Sequence, residues 1–354
     1  MQALHAMSPP ATDSPGTLSP PYQSSPFLAG GRFNGQPVKL EMSTCEIVSG
    51  VWSYLSNANN GSPTAELPVK PLVPSFFTDP GGNQLNATWL GHSSLLINMD
   101  GYRLVTDPVF EKRVSPLGPT RFNGAVPLDI HQVPRIDAVI ISHDHYDHLN
   151  KHSVQQLAPK THRFVVPLGV GALLVKWGIP AEKTIELGWW EEYRFDENLT
   201  IAATPAQHFS GRGLTDRNRT LWASWVVRSP FHNIFFSGDS GYFDGFKRIG
   251  DTYGPFDMTF IECGAYNQAW SQVHLFPEQT VQAHLDLKGR ILHPIHWGTF
   301  NLALHPWYEP MERLAAAAKA AGIRTATPVP GETTISPAKI PGSQWWLQAM
   351  TNAS

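Results

Sequence analysis

Residues 143–148 read His-Asp-His-Tyr-Asp-His, three imidazoles and two carboxylates in six positions. Such groups are costly to crowd together unless something satisfies them, and together they form the ligand set of zinc, iron and manganese. The run follows the apolar stretch RIDAVIIS (135–142), a buried-strand pattern, so it falls on a strand-to-loop corner. On extended backbone His143 and His145 point to one side and Asp144 to the other. A tight turn can then bring Asp147 and His148 round to a neighbouring point. Asp144 is expected to be exposed and outside the ligand set.

The same context, a histidine or aspartate just after an apolar strand, recurs three times. TIAATPAQH ends in His208, NIFFSGDSG carries Asp239 between two glycines, and RILHPIH ends in His296. With His143, His145, Asp147 and His148 these make seven candidate ligands, enough for two metal ions. Asp239 is the natural bridge, because a carboxylate has two oxygens to give. Asp107, after the strand YRLVT, and His92, in LGHSS, are candidates to orient the ligand imidazoles from behind. Arg212, Arg217 and Arg219 follow His208 closely enough to meet an anionic group such as phosphate.

The elements that position these residues are legible in part. Short apolar runs begin at residue 86, and Asp100–Gly101 joins SSLLINM to YRLVTD as a hairpin. Strands are expected at 135–142, 163–167, 199–204, 221–228, 232–237, 257–262 and 290–296. Helices are expected at 168–178, 276–289 and 309–322, the last two with proline in the first turn and glycine past the end. A further helix is expected at 45–55. The Pro/Ser-rich residues 1–31 read as a disordered arm, 32–340 as one α/β domain of two sheets with helices outside, and 341–354 as a C-terminal tail.

Composition bounds the partners. With 26 basic and 29 acidic residues the chain carries a net charge of about −3, which gives no footprint for nucleic acid. Two cysteines, Cys45 and Cys263, are too few for a disulfide framework, and Cys263 reads as a buried core thiol. The N-terminus lacks the pattern of a secretory signal, and no apolar run approaches the length that spans a bilayer. The expectation is a cytoplasmic protein whose membrane contact, where it has one, is peripheral.

The string HDHYDH, with His208, Asp239 and His296 downstream, resembles the metallo-β-lactamase fold superfamily. TWLGHSSLLI, LVTDPVF, WWEE, TPAQH, LWASW, FFSGDSGY, GPFDM, GAY and HWGTF, in that order, resemble N-acyl-phosphatidylethanolamine-hydrolysing phospholipase D and its bacterial relatives, over roughly residues 32–337. The resemblance implies an αββα sandwich with two zinc ions. His143, His145 and His208 would hold one, Asp147, His148 and His296 the other, and Asp239 would bridge. It implies a phospholipid substrate, cleaved to phosphatidate and N-acylethanolamine, and a homodimer by analogy with relatives that act on lipid. Asp147 and His274 are the catalytic candidates. Animal members place a Gln–His pair after GAY; here Val273 replaces the glutamine and His274 matches, so Val273, His274 and Arg212 are the substrate-side candidates. Trp189, Trp190 and Trp270 are candidates to line an acyl groove, to face lipid or to pack in the core. Another hydrolase of this fold, acting on a small ester, lactone or phosphodiester, is the alternative.

Overall fold

The computed structural model describes residues 27–35, 56–57, 59–72, 82–115 and 118–351. Two seven-stranded sheets pack face to face with helices on their outer sides. A short hairpin, β1 (Leu28–Ala29) and β2 (Arg32–Phe33), precedes them. The first sheet holds β3 (Leu85–Gly91), β4 (Ser94–Met99), β5 (Tyr102–Thr106), β6 (Ile136–Ile140), β7 (Thr161–Pro167) and β8 (Thr184–Leu187). The second holds β9 (Glu192–Arg194), β10 (Thr200–Thr204), β11 (Ser224–Arg228), β12 (Asn233–Phe236), β13 (Met258–Glu262), β14 (Ile291–Ile295) and β15 (Arg324–Thr325). The chain then returns to the first sheet as β16 (Thr333–Ser336), antiparallel to β3.

Alternation along the strands explains the layering. Leu95, Ile97, Leu104, Ala138 and Ile140 face the second sheet and join Trp225, Val227, Phe236 and Phe260 in the central core. Their neighbours Leu96, Val105, Val139 and Ile141 point outward. There they pack under α1 (Lys151–Leu157) and α2 (Val170–Lys176) through Val154, Leu157, Val170 and Leu174. Strands buried on both faces read as continuous apolar runs, which is why β4 to β7 were visible in the sequence.

On the far side α3 (Gly245–Tyr253), α4 (Pro277–Asp286) and α5 (Glu309–Ala321) cover the second sheet. In α5, Met311, Leu314 and Ala318 recur at helical spacing and are buried, Glu309 and Glu312 occupy the positive first turn, and Gly322 ends the helix at φ 68°. The β4–β5 hairpin turns through Asp100 and Gly101, both at positive φ, with Met99 opposite Tyr102.

Two boundaries differ from the sequence reading. Phe33 and Phe27 of the β1–β2 hairpin pack on Trp222 and Trp189, so the ordered structure starts before residue 32. Residues 341–354 are not a bare tail: α6 (Trp345–Thr351) buries Trp345 and Trp346 against Trp297. A helix with two apolar anchors in its first turn has no visible period on its own. The helix expected at 45–55 lies outside the described residues, as do residues 1–26 and Cys45.

Candidate metal centre

Seven strands deliver a polar side chain to one edge of the sandwich. His92 follows β3, Asp107 follows β5, His143 lies just past β6, His208 past β10 and Asp239 past β12. Glu262 is the last residue of β13, and His296 is the first after β14. Gly238, at φ 56°, lets the backbone turn into Asp239; a side chain there would strike Ser142. Gly241 lies so close to the backbone of Gln272 and Val273 that a Cβ has no room.

The seven candidate ligands come together as two groups. His143, His145, His208 and Asp239 form one, with every ligand atom within 4.8 Å of the others; Asp147, His148 and His296 form the second, with His92 beside them. Asp239 joins the two, its Oδ2 lying 3.1 Å from His148 Nε2 and its Oδ1 3.1 Å from His296 Nε2. His143 and His208 lie 3.9 and 3.8 Å from the same Oδ2.

Hydrogen bonds at the outer nitrogens fix which way the rings face. His148 Nδ1 donates to Asp107 Oδ2 at 2.7 Å. Ser142 Oγ spends its single proton on that same oxygen at 2.6 Å, so it accepts from His143 Nδ1 at 2.9 Å. His208 Nδ1 donates to the carbonyl of Val273 at 3.0 Å. All three rings therefore carry their proton on the outer nitrogen and turn the Nε2 lone pair inward. His143 Nε2 faces His145 Nδ1 at 2.8 Å, and His296 Nε2 faces His148 Nε2 at 3.2 Å. Asp239 Oδ1 accepts no hydrogen bond although it is buried. Inward lone pairs meeting around an unsatisfied carboxylate oxygen are a donor set that fits bound cations.

The electrostatics agree. Burial, reinforced by the neighbouring rings, lowers His143 well below the usual imidazole range, and burial does the same to His208, so both are neutral ligands. Burial opposes ionisation of Asp147 and Asp239, yet the histidines around them hold both well below the usual carboxylate range. Burial also opposes a charge on His148 and His296, but the negative charge of Asp239 and Asp147 beside them pushes His148 well above the usual imidazole range and His296 up to about 10. The two carboxylates thus draw positive charge into the site, and a metal ion supplies it without the proton.

Asp107 and His92 sit where the sequence reading expects them. Asp107 is fully buried and accepts from Ser142 N, Ser142 Oγ and His148 Nδ1. His92 Nε2 lies 3.1 Å from Asp147 Oδ2, and burial, with His296 beside it, lowers the ring to about 3. His274 closes the site beside His208 and His296, with ring centroids 5.2 and 5.4 Å away.

Three expectations need correction. Asp144 is buried, not exposed: its carboxylate turns back and accepts from Gly211 N at 2.7 Å. The Arg212 guanidinium does not point into the site. It donates to the carbonyls of Asp144 (2.5 Å) and Leu149 (2.8 Å) and lies 3.8 Å over the Tyr146 ring, clamping the metal-binding loop. Val273 is a buried side chain that reaches the site only through its carbonyl on His208. Trp189 and Trp190 pack against the core, one of the roles expected of them: Trp189 lies on Phe27 and Trp222, and Trp190 stacks on Tyr253 and carries the Arg248 guanidinium over its ring. Trp270 donates from Nε1 to the Ala265 carbonyl at 2.7 Å. Arg217 covers Phe209, which packs on His145 and His208, and Arg219 is exposed. Cys263 is fully buried, as expected.

Sequence reading missed Glu262. Its carboxylate is fully buried beside His296 and His274. The signal was there: MTFIE is an apolar strand ending in an acid, the same context that singled out Asp239.

Comparison with known proteins agrees with this geometry. A family profile described as "Beta-lactamase superfamily domain" matches residues 102–297, more than half of the chain. The chain is 40% identical to an uncharacterized protein of Mycobacterium tuberculosis over 98% of its own length and 94% of that protein's. It is 37% identical to N-acyl-phosphatidylethanolamine-hydrolyzing phospholipase D 1 of Caenorhabditis elegans, covering 70% of this chain and 73% of the worm protein. Among solved structures, a metallo hydrolase from the archaeon Ignicoccus hospitalis superposes with a TM-score of 0.56 at 20% identity, over 72% of this chain and 98% of that one. The chain belongs to the metallo-β-lactamase superfamily and is a metallo-hydrolase of that fold. Within the superfamily it resembles the N-acyl-phosphatidylethanolamine-hydrolysing phospholipases D.

Proposed function

We propose that the chain is a dinuclear zinc phosphodiesterase of phospholipase D type, which hydrolyses N-acyl-phosphatidylethanolamine-like lipids to phosphatidate and N-acylethanolamine. The observation that carries this reading is Asp239, which stands between two convergent ligand groups with one buried oxygen lacking a hydrogen bond. His143, His145 and His208 would hold one ion, Asp147, His148 and His296 the other, and Asp239 both. Iron or manganese would suit the same nitrogen and oxygen donors less specifically. When bound, such a pair activates water at neutral pH and withdraws charge from a phosphoryl oxygen.

The chain's own groups do the rest. Asp107, Ser142 and the Val273 carbonyl keep three imidazoles aimed inward. Asp147 is turned by His92. His274, on the open side of the ligand groups, is the side chain that meets the substrate. The match to the worm phospholipase over most of both chains supports the lipid substrate. No helix among the described residues is long and apolar enough to cross a membrane, and we place the enzyme in the cytoplasm, working on lipid by peripheral contact.

The test offers zinc-loaded protein a micellar mixture of N-acyl-phosphatidylethanolamine, phosphatidylethanolamine and phosphatidylcholine, with products read by mass spectrometry. Chelator-sensitive release of N-acylethanolamine and phosphatidate is the expected result. Survival of all three lipids would overturn the phospholipase assignment and turn attention to small esters, lactones and phosphodiesters.

A further inference from the structure

Glu262 is a buried acid that the seven-ligand scheme does not use. Its position beside Asp239, His274 and His296 would allow it to be an eighth ligand. Its hydrogen bonds argue against that. Oε1 accepts from the backbone of Ser240 at 2.6 Å and of Leu275 at 3.3 Å, and Oε2 pairs with His274 Nδ1 at 2.7 Å. Three partners occupy the carboxylate, and the outer nitrogen of His296, Nδ1, is 3.9 Å from Oε2, beyond hydrogen-bond reach. The carboxylate is wholly buried, whereas the His274 side chain keeps 14% of its surface exposed. A buried acid thus holds the outer nitrogen of an imidazole that faces both the ligand cluster and solvent.

We propose that Glu262 is a positioning residue for His274: it fixes the ring through Nδ1 so that Nε2 meets the phosphodiester beside the metal ligands, and the two residues act as one unit. The proposal rests on the reading of His274 as the substrate-side histidine. The tether is built from two directions. Ser240 N, which follows the bridging Asp239, and Leu275 N, which follows His274, grip the same oxygen. The spacing of Asp239 and His274 is therefore set through one carboxylate. Thr280 Oγ1, donating to the Glu262 carbonyl at 2.7 Å, fixes the strand end itself.

The experiment is a double-mutant cycle on the zinc-loaded enzyme, with Glu262→Ala, His274→Ala, the double variant and Glu262→Gln, assayed on N-acyl-phosphatidylethanolamine and on bis(p-nitrophenyl) phosphate. Glu262→Ala is expected to lower kcat/KM about a hundredfold with two metals retained. The double variant should be no worse than His274→Ala, because residues acting as one unit are not additive. Glu262→Gln keeps an acceptor for Ser240 and Leu275 but turns an N–H toward Nδ1, which holds the ring with its proton moved to Nε2, so metal should be retained while most of the loss in kcat/KM remains. Additive losses, or loss of metal in Glu262→Ala, would overturn the proposal. If the wild type cleaves the aryl diester but not the lipid, the phospholipase reading fails while the cycle on the aryl diester still decides the role of Glu262. Should neither diester be cleaved, nitrogen NMR of the histidine rings decides: a His274 Nδ1 resonance that shifts in Glu262→Ala supports the tether, and an unchanged one refutes it.

Discussion

Asp239 and Asp107 are both buried carboxylates among histidines, yet they serve different ends. Asp239 lies 3.1 Å from the inward nitrogens of His148 and His296 and 3.9 and 3.8 Å from those of His143 and His208, while the Asp107 carboxylate bonds the outer nitrogen of His148 and the Ser142 backbone and hydroxyl. Asp239→Asn is expected to lose activity and to drop below two bound metals by elemental analysis. Asp107→Asn keeps the ligand set and should weaken metal affinity by roughly 10- to 100-fold, read by chelator competition. If the asparagine at 239 keeps full activity, the bridging assignment is wrong. Asp144 teaches a different lesson. Alternation along extended backbone turned it away from the histidine cluster, but away from the cluster proved to be toward Gly211 rather than toward water. Since asparagine can accept the same bond, Asp144→Asn should leave turnover nearly unchanged, and a hundredfold loss in kcat would show that its charge matters. The residues of the two clusters were legible because coordination demands particular residue types at strand ends. Arg212 was misread because a guanidinium close in sequence to a ligand serves equally well as a loop clamp, and only the fold shows which carbonyls lie within reach.

Among the elements, α4 and α5 could be read in advance because proline, glycine and apolar spacing agree over ten or more residues. The seven-residue α1 and the nine-residue α3 were missed; they are too short for a period to stand out. The edge strand β8 was missed as well, and it carries an unusual group. Glu186 accepts from Gly171 N at 2.7 Å at the start of α2, and burial, only partly offset by bonds from the backbone of Gly171 and Gly169, pushes its carboxyl up to about 7. The ordinary value is 4.5, so between about 4.5 and 7 the folded chain holds a proton that the unfolded chain has released. This contribution to stability is fully present below that window and is lost as pH rises through it. Glu186→Gln, which cannot titrate, should show a shallower fall of Tm between pH 5 and pH 7.5 than the wild type. Parallel Tm profiles for the two proteins would mean that Glu186 ionises normally in the folded state.

For the molecule as a whole, the two sheets share one core, and a ladder of tryptophans ties the metal edge to the C-terminus. Trp89 donates from Nε1 to the carbonyl of His92 at 2.8 Å and stacks on Trp297, which directly follows His296. Trp345 also stacks on Trp297, with centroids 5.2 Å apart, and Trp346 meets it edge-on at 5.8 Å. No local pattern announces this arrangement, because it joins residues more than 250 positions apart. It gives the last helix a part in the site: α6 braces the segment that carries His296 from behind. Truncation after residue 340 removes both anchors, and each large buried aromatic is worth about 3–5 kcal/mol, which is a large share of a domain's net stability. The truncated chain is therefore expected to be poorly folded. Trp345→Ala is the milder probe. It should lower the urea midpoint with an unchanged slope and weaken the ion held by Asp147, His148 and His296 more than the ion held by His143, His145 and His208. Two metal-binding steps resolved by titration calorimetry would show this, with one affinity reduced and the other kept. Equal weakening of both steps would mean that α6 stabilises the sandwich in general and exerts no selective hold on His296.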